Sequence, residues 1–517
     1  MRTSAIGPWA VAVLATTVLL SRPITSGGQQ VSELWGARGE KWCADGPLPD
    51  FSFAGYQRGE KPIPRVKQVA SVKDFGAKGD GKADDTEAIR NAIDGSADGA
   101  ILLPAGRYLV SDIIEVKKGG IVLRGEGPTK TVIVFTRGLE EIKPSPTKND
   151  GGQPTTAWSW GGGLISVSGR TLTTGTAIPV TAQALRGSTT LGVEGHSFSA
   201  GDEVILNMSD TKEGTLVDYL YRGKAGNASG IKGSNPKRIY QVFRVTAARP
   251  NVIEIDRPFR FDVRNEWIPT VAEFRPDVTE VGIEDLAFEC PEQPYAGHFK
   301  EKGFNPIEIK NAAHCWVRNV RMTNVDNGPF LRGVFGTVDG IALVAGKKRS
   351  GPEGMTGHHG ISLEGVDGLC THFTIDTTFY HDVTVSGISM GNVISKGTGI
   401  NFNMDHHRWG PYENLFTAID AGKGTRLFAS GGGGNRGNHT AAGATFWNIR
   451  TRESQLWPAQ FGCDRINIVG LKISGKDIKD PSGRWLETIA PGKIQPADLH
   501  EAMLQRRLAT GGRDARK

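Results

Sequence analysis

The sequence predicts an all-β fold in which short strands follow one another as the coils of a solenoid. The chain holds 69 glycines among 517 residues, and many glycines between short apolar alternations are typical of strands joined by turns. From Asp277 onward, strand-like segments recur at roughly 17 to 34 residues, a spacing typical of solenoid coils with loops of variable length. These two observations favour stacked coils over a single flat sheet.

Residues 1–26 have the pattern of a secretory signal peptide. Arg2 gives a small positive start, Trp9 to Leu20 is an apolar run, and small polar residues follow. We therefore expect a secreted or periplasmic protein with no membrane span once the signal is removed. Residues 27–66 form an N-terminal extension, whose proline and glycine content predicts an ordered loop lying on another surface.

Residues 67–137 contain the first predicted helix and the first strands. Apolar residues recur at helical spacing over Glu87 to Asp94, and the preceding Asp84-Asp85-Thr86 can cap this helix. Two short strands follow around a Pro-Ala-Gly turn. The stretch DFGAKGDGKADDTEAI, followed by LLPAGRYLV, resembles the start of the pectate-lyase-like right-handed parallel β-helix superfamily of secreted polysaccharide lyase type.

The resemblance implies a right-handed parallel β-helix whose early helix plugs the open end of the coil. The superfamily includes polysaccharide lyases and polygalacturonase-type hydrolases, so the resemblance also implies an enzyme acting on a polysaccharide. Because one fold hosts many chemistries, the reaction has to be argued from the site.

Three further segments complete the chain. Residues 138–275 carry longer alternating strands and glycine-rich turns, which we interpret as an inserted antiparallel β module. Short strands return in residues 276–480, the main body of the β-helix, where we expect the active-site groove. Residues 481–517 predict a C-terminal helix and a basic tail.

Composition limits the partners. The net charge of +6 is small for 517 residues, so nucleic acid is not expected to bind. We expect a monomer that binds an acidic polysaccharide through local arginine and histidine side chains. No cofactor is required by the sequence and no metal ligands are assigned, although calcium is left open. The five cysteines form no CxxC pair, but Cys290 and Cys315 lie about one coil apart and could form a disulfide.

The stretch Gly399 to Leu415, GINFNMDHHRWGPYENL, is the strongest candidate site. It opens with strand-like alternation and then brings a carboxylate, two imidazoles, a guanidinium and a phenol together. Such groups suit proton transfer to and from a charged substrate. A histidine-rich turn held by its own hydrogen bonds is the alternative.

Four histidine-bearing segments fall on consecutive predicted coils, and stacking would collect them on one groove. They begin at Gly357, Tyr380, Asp405 and Arg436. The candidate catalytic residues are Asp405, His406, His407, Arg408, Tyr412, His359, His381 and Tyr380. The candidate substrate-binding residues are Asn403, His358, Arg332, Arg436, His439 and Trp409. His298 is expected at the surface, away from these.

Two reactions compete for this site. A lyase acting on a uronate needs a group that neutralises the carboxylate, a base for the C5 proton and an acid for the leaving oxygen. A polygalacturonase-like hydrolase needs two carboxylates that flank the bond, and no adjacent Asp-Asp pair occurs on the late coils. The sequence therefore favours β-elimination of a uronic-acid polysaccharide, with hydrolysis and non-catalytic carbohydrate binding as alternatives.

Spacing also predicts a strand register. Aligning GHHGISLEG with FYHDVTVSG places His359 beside His381, at the strand separation of about 4.8 Å. Alternation then puts both rings on the side of Ile361, facing the interior as a buried ladder, unless a bulge turns them outward as a base. His358, Tyr380 and Asp382 would face the groove.

Overall fold

The protein is a parallel β-helix, which confirms the predicted fold class. The structure, a computed structural model, describes residues 28–232, 238–387 and 389–511. The predicted signal peptide and the last residues of the basic tail lie outside these ranges. No helix among the described residues has the length and apolar character needed to cross a membrane.

One face of the coil is a seven-stranded parallel sheet, called here the site sheet. Its strands are Ile114–Val116, Ile165–Ser168, Ile307–Ala313, Phe330–Val334, Gly357–Leu363, Phe379–Ser386 and Met404–His407.

The other faces of the coil are formed by a second set of hydrogen-bonded strands, most of them parallel. These strands are Gln68–Ser71, Asp80–Asp84, Gly99–Leu102, Gly106–Val110, Ile121–Arg124, Thr131–Phe135, Gly282–Glu289, Trp316–Thr323, Thr337–Val344, Leu369–Thr371, Thr374–Asp376, Val393–Ser395, Thr398–Gly399, Leu415–Asp420, Thr445–Arg450, Ile466–Leu471, Ile478–Lys479 and Arg484–Glu487.

Successive coils stack because equivalent positions carry equivalent residues. Ile283, Val317 and Val338 are in register and fully buried. Two positions further on, the strands bend through left-handed backbone, with φ of 52° at Asn319 and 73° at Gly340. Asparagine and glycine adopt this conformation at low cost, so the turn residues fix where each coil bends.

Helices are few among the described residues. The first, Thr86–Gly95, buries Ile89, Ala92 and Ile93 against the start of the coil interior. The remaining α-helices are Leu139–Ile142, Thr215–Leu220 and Leu499–Thr510. Short 3-10 helices are Tyr56–Gly59, Val72–Phe75, Ala157–Ser159, Asn265–Trp267 and Pro352–Gly354.

An antiparallel sheet interrupts the coil. Its strands are Thr173–Pro179, Thr190–Gly192, Glu203–Ser209, Arg238–Arg249, Val252–Ile255 and Thr270–Phe274. The expected start of the insertion at residue 138 is too early, because Ile165–Ser168 pairs with strands of the coil on both sides. The expected end of the main body at residue 480 is also too early, since Arg484–Glu487 continues the stack beyond Ile466–Leu471.

Both ends of the described chain pack on one side of the coil. Gln30–Val31 pairs with Ile494–Gln495. A separate two-stranded hairpin, away from the chain ends, joins Pro146–Lys148 to Pro154–Thr156. Trp35 and Leu499 share a buried cluster with Trp447 of the coil. The expected Cys290–Cys315 bond is wrong, because both thiols are free and buried.

Candidate active site

The candidate histidines meet on three adjacent strands of the site sheet. Gly357–Leu363 pairs with Phe379–Ser386, and His359 lies opposite His381 as predicted. Phe379–Ser386 in turn pairs with Met404–His407. The one-coil register is therefore confirmed, and it brings residues from three coils together.

The expected direction of this histidine pair is wrong, because both rings lie on the outer side of the sheet. The Nδ1 atom of His359 is 3.0 Å from the hydroxyl of Thr384, and Nδ1 of His381 is 3.2 Å from Oδ2 of Asp405. Ile361, two residues after His359, lies in the hydrophobic interior instead. Simple alternation therefore fails between positions 359 and 361.

A bend at Gly360 explains the change of side. A Cβ atom at this position would lie 2.2 Å from the carbonyl oxygen of Asp382 on the next coil. The Cα–Cβ direction at residue 360 therefore runs toward the neighbouring strand instead of above or below the sheet. Only glycine allows this close approach. Asp382 itself does not face the groove as expected, because it is buried in an ion pair with Arg426.

Asp405 and His407 form a fixed pair at the centre of the site. The buried Asp405 accepts a hydrogen bond of 2.8 Å from Nδ1 of His407 and another of 2.9 Å from the amide of Gly431. Burial alone would raise the pKa of Asp405, but His381 and His407 hold it below its usual value. Burial also opposes charge on His407, yet Asp405 raises the pKa of that imidazole overall.

A second group lies beside this pair, and it joins the predicted residues His358 and Tyr380 to two residues that the sequence analysis missed, His298 and Glu301. Nε2 of His298 is 3.0 Å from Nε2 of His358, and Nδ1 of His358 is 3.3 Å from Oε1 of Glu301. Tyr380 stacks on His298 with ring centroids 4.5 Å apart. The expectation that His298 lies away from the site is wrong. Its loop between two strands has no regular pattern from which its path could be predicted.

Electrostatics keep most of the imidazoles neutral. Burial lowers the pKa of His298 to about 4, and the neighbouring His358 adds to the effect. Burial and the surrounding imidazoles hold the pKa values of His359 and His381 well below 6.5. Glu301 has a pKa of about 2, because His358 and several hydrogen bonds outweigh the effect of its burial. The site therefore combines anchored carboxylates with imidazoles that are mostly neutral.

Two overlapping sets of these side chains have the spacing of metal ligands. One set is His298, His358 and His381, and the other is His381, Asp405 and His407. Within each set the ligand atoms lie within 4.8 Å of one another. Imidazole-rich sets suit transition metals, whereas calcium prefers oxygen ligands.

The rim of the site carries cationic and aromatic side chains. Arg408 donates a hydrogen bond to the carbonyl of Gly437, while its buried Nε has no partner. Arg436 pairs with Asp150 at 3.0 Å and lies 4.7 Å above the ring of the partly exposed Trp409. His439 is half-buried, with Nδ1 3.4 Å from the carbonyl of His406. A sugar ring and its carboxylate could meet this rim.

Two of the expected catalytic residues point away from the site. His406 is completely buried, and its ring lies 5.2 to 5.5 Å from interior phenylalanines, namely Phe416, Phe446 and Phe461. Tyr412 is 4% exposed and belongs to the buried cluster between the coil and the inserted sheet. Neither residue can contact a polymer on the outer face of the site sheet.

Two expected substrate-binding residues are occupied by the protein itself. Asn403 donates to the carbonyls of Tyr380 and Ala429, and it accepts from the amide of Asp382. It therefore joins neighbouring coils. Arg332 pairs with Glu308 at 2.6 Å and with Glu364 at 3.0 Å. Its charge is therefore matched within the protein.

Comparisons with known proteins agree with this architecture. Residues 69–241 match the family described as rhamnogalacturonase A/epimerase, pectate lyase-like. With the coiled strands, this match confirms the predicted resemblance to the pectate-lyase-like β-helix superfamily. Alginate lyase 7 of Azotobacter vinelandii is 39% identical over 94 residues, which are 16% of this chain and 11% of that protein. Mannuronan C5-epimerase AlgE4 of the same organism is 41% identical over 80 residues, 14% of each chain.

These matches span well under two thirds of either curated relative. Among solved structures, the tailspike protein gp49 from Pseudomonas phage LKA1 has a TM-score of 0.46 and 13% identity, covering 75% of this chain and 65% of that one. The A-module of the Azotobacter vinelandii epimerase AlgE4 has a TM-score of 0.31 and 14% identity, covering 77% of this chain and 81% of that one. Likeness at this level says nothing about activity.

Proposed function

We propose that this protein is a secreted carbohydrate-active enzyme that cleaves a uronic-acid polysaccharide by β-elimination. The main observation in support is the Asp405–His407 pair on the outer face of the site sheet, which is followed directly in the chain by Arg408. Because ionised Asp405 can only accept hydrogen bonds, it fixes the proton of His407 on Nδ1. Nε2 of the neutral ring is then the basic atom that could remove the C5 proton.

The other two requirements of elimination have candidates nearby. Arg408 forms no ion pair with a described carboxylate, and its side chain is partly exposed, so its charge is available to a uronate. Tyr380 is partly exposed, and burial and nearby Glu353 and Glu301 raise the pKa of its phenol. A phenol that stays protonated can give its proton to the leaving oxygen.

The state of the carboxylates supports elimination over hydrolysis. A glycoside hydrolase needs two carboxyl groups that face the bond to be cut. Asp405 and Glu301 are buried. Asp405 already accepts hydrogen bonds from His407 and Gly431, Glu301 accepts them from Ser159 and Tyr295, and Asp382 is paired with Arg426. A non-catalytic binding protein, in turn, has no need of a carboxylate-oriented imidazole.

The names of the matched proteins support the substrate class. Alginate lyase 7 and the mannuronan C5-epimerases point to polymers of uronic acids. Elimination and epimerisation both begin by removing the C5 proton, so the arrangement of the base alone suits either. Export, expected from residues 1–26, would bring the protein to polymers outside the cell.

The test is incubation of the purified protein with polymannuronate, polyguluronate and polygalacturonate. Elimination predicts a new ultraviolet absorbance from the unsaturated product, together with shorter chains. Saturated reducing ends without that absorbance would contradict elimination and favour hydrolysis. A changed uronate composition without chain cleavage, measured by proton NMR, would show epimerisation instead.

Two tyrosine variants sharpen this test. Tyr380→Phe should lower turnover by about 100-fold, since it removes one positioned proton donor. Tyr412→Phe is the matched control, because Tyr412 is buried away from the site sheet, and it should keep near-normal turnover. Equal loss in both variants would contradict the assignment of Tyr380.

A further inference from the structure

We propose that His298, His358 and His381 bind one divalent transition metal ion, of which Zn²⁺ is the probe of choice. One nitrogen from each residue lies within 4.8 Å of the others. The three residues come from a loop and two neighbouring coils, so the fold brings them together. Metal binding here requires no substrate and can be measured whether or not the proposed elimination occurs.

The spacing of two of the ligands already fits a shared ion. Zinc–nitrogen bonds are about 2.0 to 2.1 Å long, which puts two nitrogens about 3.3 Å apart at a tetrahedral angle and about 2.9 Å apart at a right angle. Nε2 of His298 and Nε2 of His358 are 3.0 Å apart. Only His381 has to approach, by at most about 1.5 Å, because the three nitrogens already lie within 4.8 Å of one another and the tetrahedral separation is about 3.3 Å.

Each of the two buried ligands has a carboxylate behind it. Nδ1 of His358 faces Glu301 at 3.3 Å, and Nδ1 of His381 faces Asp405 at 3.2 Å. Both ring nitrogens are buried, and neither makes a hydrogen bond. Carboxylates in this position orient metal-binding imidazoles and leave Nε2 for the ion, which is the arrangement needed at the centre of the triad.

Glu301 is itself held in place. It accepts hydrogen bonds from the hydroxyls of Ser159 and Tyr295, so the carboxylate cannot turn toward the ion. His298 is only partly buried, which leaves a path from solvent to the metal position. The site thus has anchored inner ligands and one open side, as in zinc sites that keep a position for water or substrate.

The second possible set, His381, Asp405 and His407, is less suited to the ion. Asp405 already receives hydrogen bonds from His407, Thr384 and the amide of Gly431. An ion there would break the bond that orients His407. An ion on the histidine triad leaves that bond intact.

The position of the ion also suggests a role in catalysis, which depends on the proposed function. The rings of His381 and His407 are 5.0 Å apart, so a metal on His381 would lie near the proposed base. A cation at this place could bind the uronate carboxylate and make the C5 proton easier to remove.

The experiment is a titration of chelator-treated full-length protein with Zn²⁺ by calorimetry and with Co²⁺ by visible absorption. We expect one ion per chain. His298→Ala should weaken binding by about 100-fold or more, and Glu301→Gln by about 10- to 100-fold, as removal of an orienting carboxylate does. His372→Ala is the control, since this exposed histidine pairs with Asp339 on another face, and it should leave affinity unchanged.

Absence of one-to-one binding would overturn the proposal. Loss of binding in His407→Ala with normal binding in His298→Ala would also overturn it, because the ion would then lie on the second set. Circular dichroism checks that His298→Ala is folded. Zinc binding without any elimination would contradict the proposed function but support the metal site. Elimination by a protein that binds no ion would contradict the metal site but support the proposed function.

Discussion

Two buried polar clusters of this protein differ in how completely their charges are matched. The arginine network joins the inserted sheet to the coil, and its members are Arg186, Arg257, Arg260, Asp367 and Glu413. Both oxygens of Asp367 accept hydrogen bonds from guanidinium groups at 2.7 to 3.0 Å. Each carboxylate of the network forms ion pairs with two arginines, and Arg260 is shared between them, so every charged group of the network has an opposite charge in contact.

The histidine cluster is the opposite case, and its members are His298, His358, His359, His381 and His407 with Glu301 and Asp405. Burial and mutual repulsion hold the pKa values of His359 and His381 well below 6.5, and ring nitrogens of His358 and His381 have no hydrogen bond. A buried polar group without a partner destabilises the fold. The difference indicates that the arginine network serves stability and the histidine cluster serves chemistry.

The largest effect should come from the proposed base. His407→Ala should lower turnover by about 100- to 10,000-fold, the usual contribution of one positioned acid or base, with little change in melting temperature. Turnover and thermal unfolding are measured together, with His372→Ala as the control outside the cluster. Near-normal turnover would show that the Asp405–His407 pair is structural and would remove the contrast between the two clusters.

Breaking the arginine network should act on stability instead. Asp367→Asn leaves Arg257 and Arg260 buried without their full counter-charge, which costs about 3 to 5 kcal/mol of unfolding free energy. The matched control is Glu87→Ala, which removes an exposed pair with Arg90 and should cost less than about 1 kcal/mol. Denaturant unfolding measures both. Normal stability with lost turnover in Asp367→Asn would assign the network to the reaction.

The sequence predicts the coil well because the coil depends on local repetition. Turn residues and apolar alternation give the strands, and the spacing between GHHG and FYHD gives the pairing of His359 with His381. The direction of these rings could not be predicted, since it depends on the close approach of Gly360 to the next coil. His298 could not be placed either, because its position depends on a long irregular loop.

The burial of His406, in contrast, could have been predicted from the sequence. Met404 is an apolar residue of the coil interior, and alternation puts His406 on the same side and Asp405 with His407 on the other. The polar residue types in this stretch suggest one site that includes both histidines. The alternation of side chains along the strand instead puts His406 and His407 on opposite faces of the sheet. The structure follows the pleat.

The smallest expected effect tests this separation through pH. Burial lowers the pKa of His406 to about 4, despite the opposing carbonyl of Met404 and charge of Asp405, and nearby His439 adds to the lowering. The unfolded chain binds the proton at about pH 6.5. Between these values the unfolded state holds more protons, so stability falls as the pH falls from 7 to 5, by about 1 to 2 kcal/mol for this residue.

His406→Phe should therefore reduce the loss of stability between pH 7 and pH 5 while keeping turnover, because the ring already lies among phenylalanines. Unfolding free energies at both pH values, for the variant and the original protein, measure the difference. Some acid sensitivity should remain, since burial also lowers the pKa values of His314 and His500 to about 4. Lost turnover with an unchanged pH response would instead place His406 in the reaction, because a ring confined to the interior can titrate with unfolding but cannot reach a polymer outside.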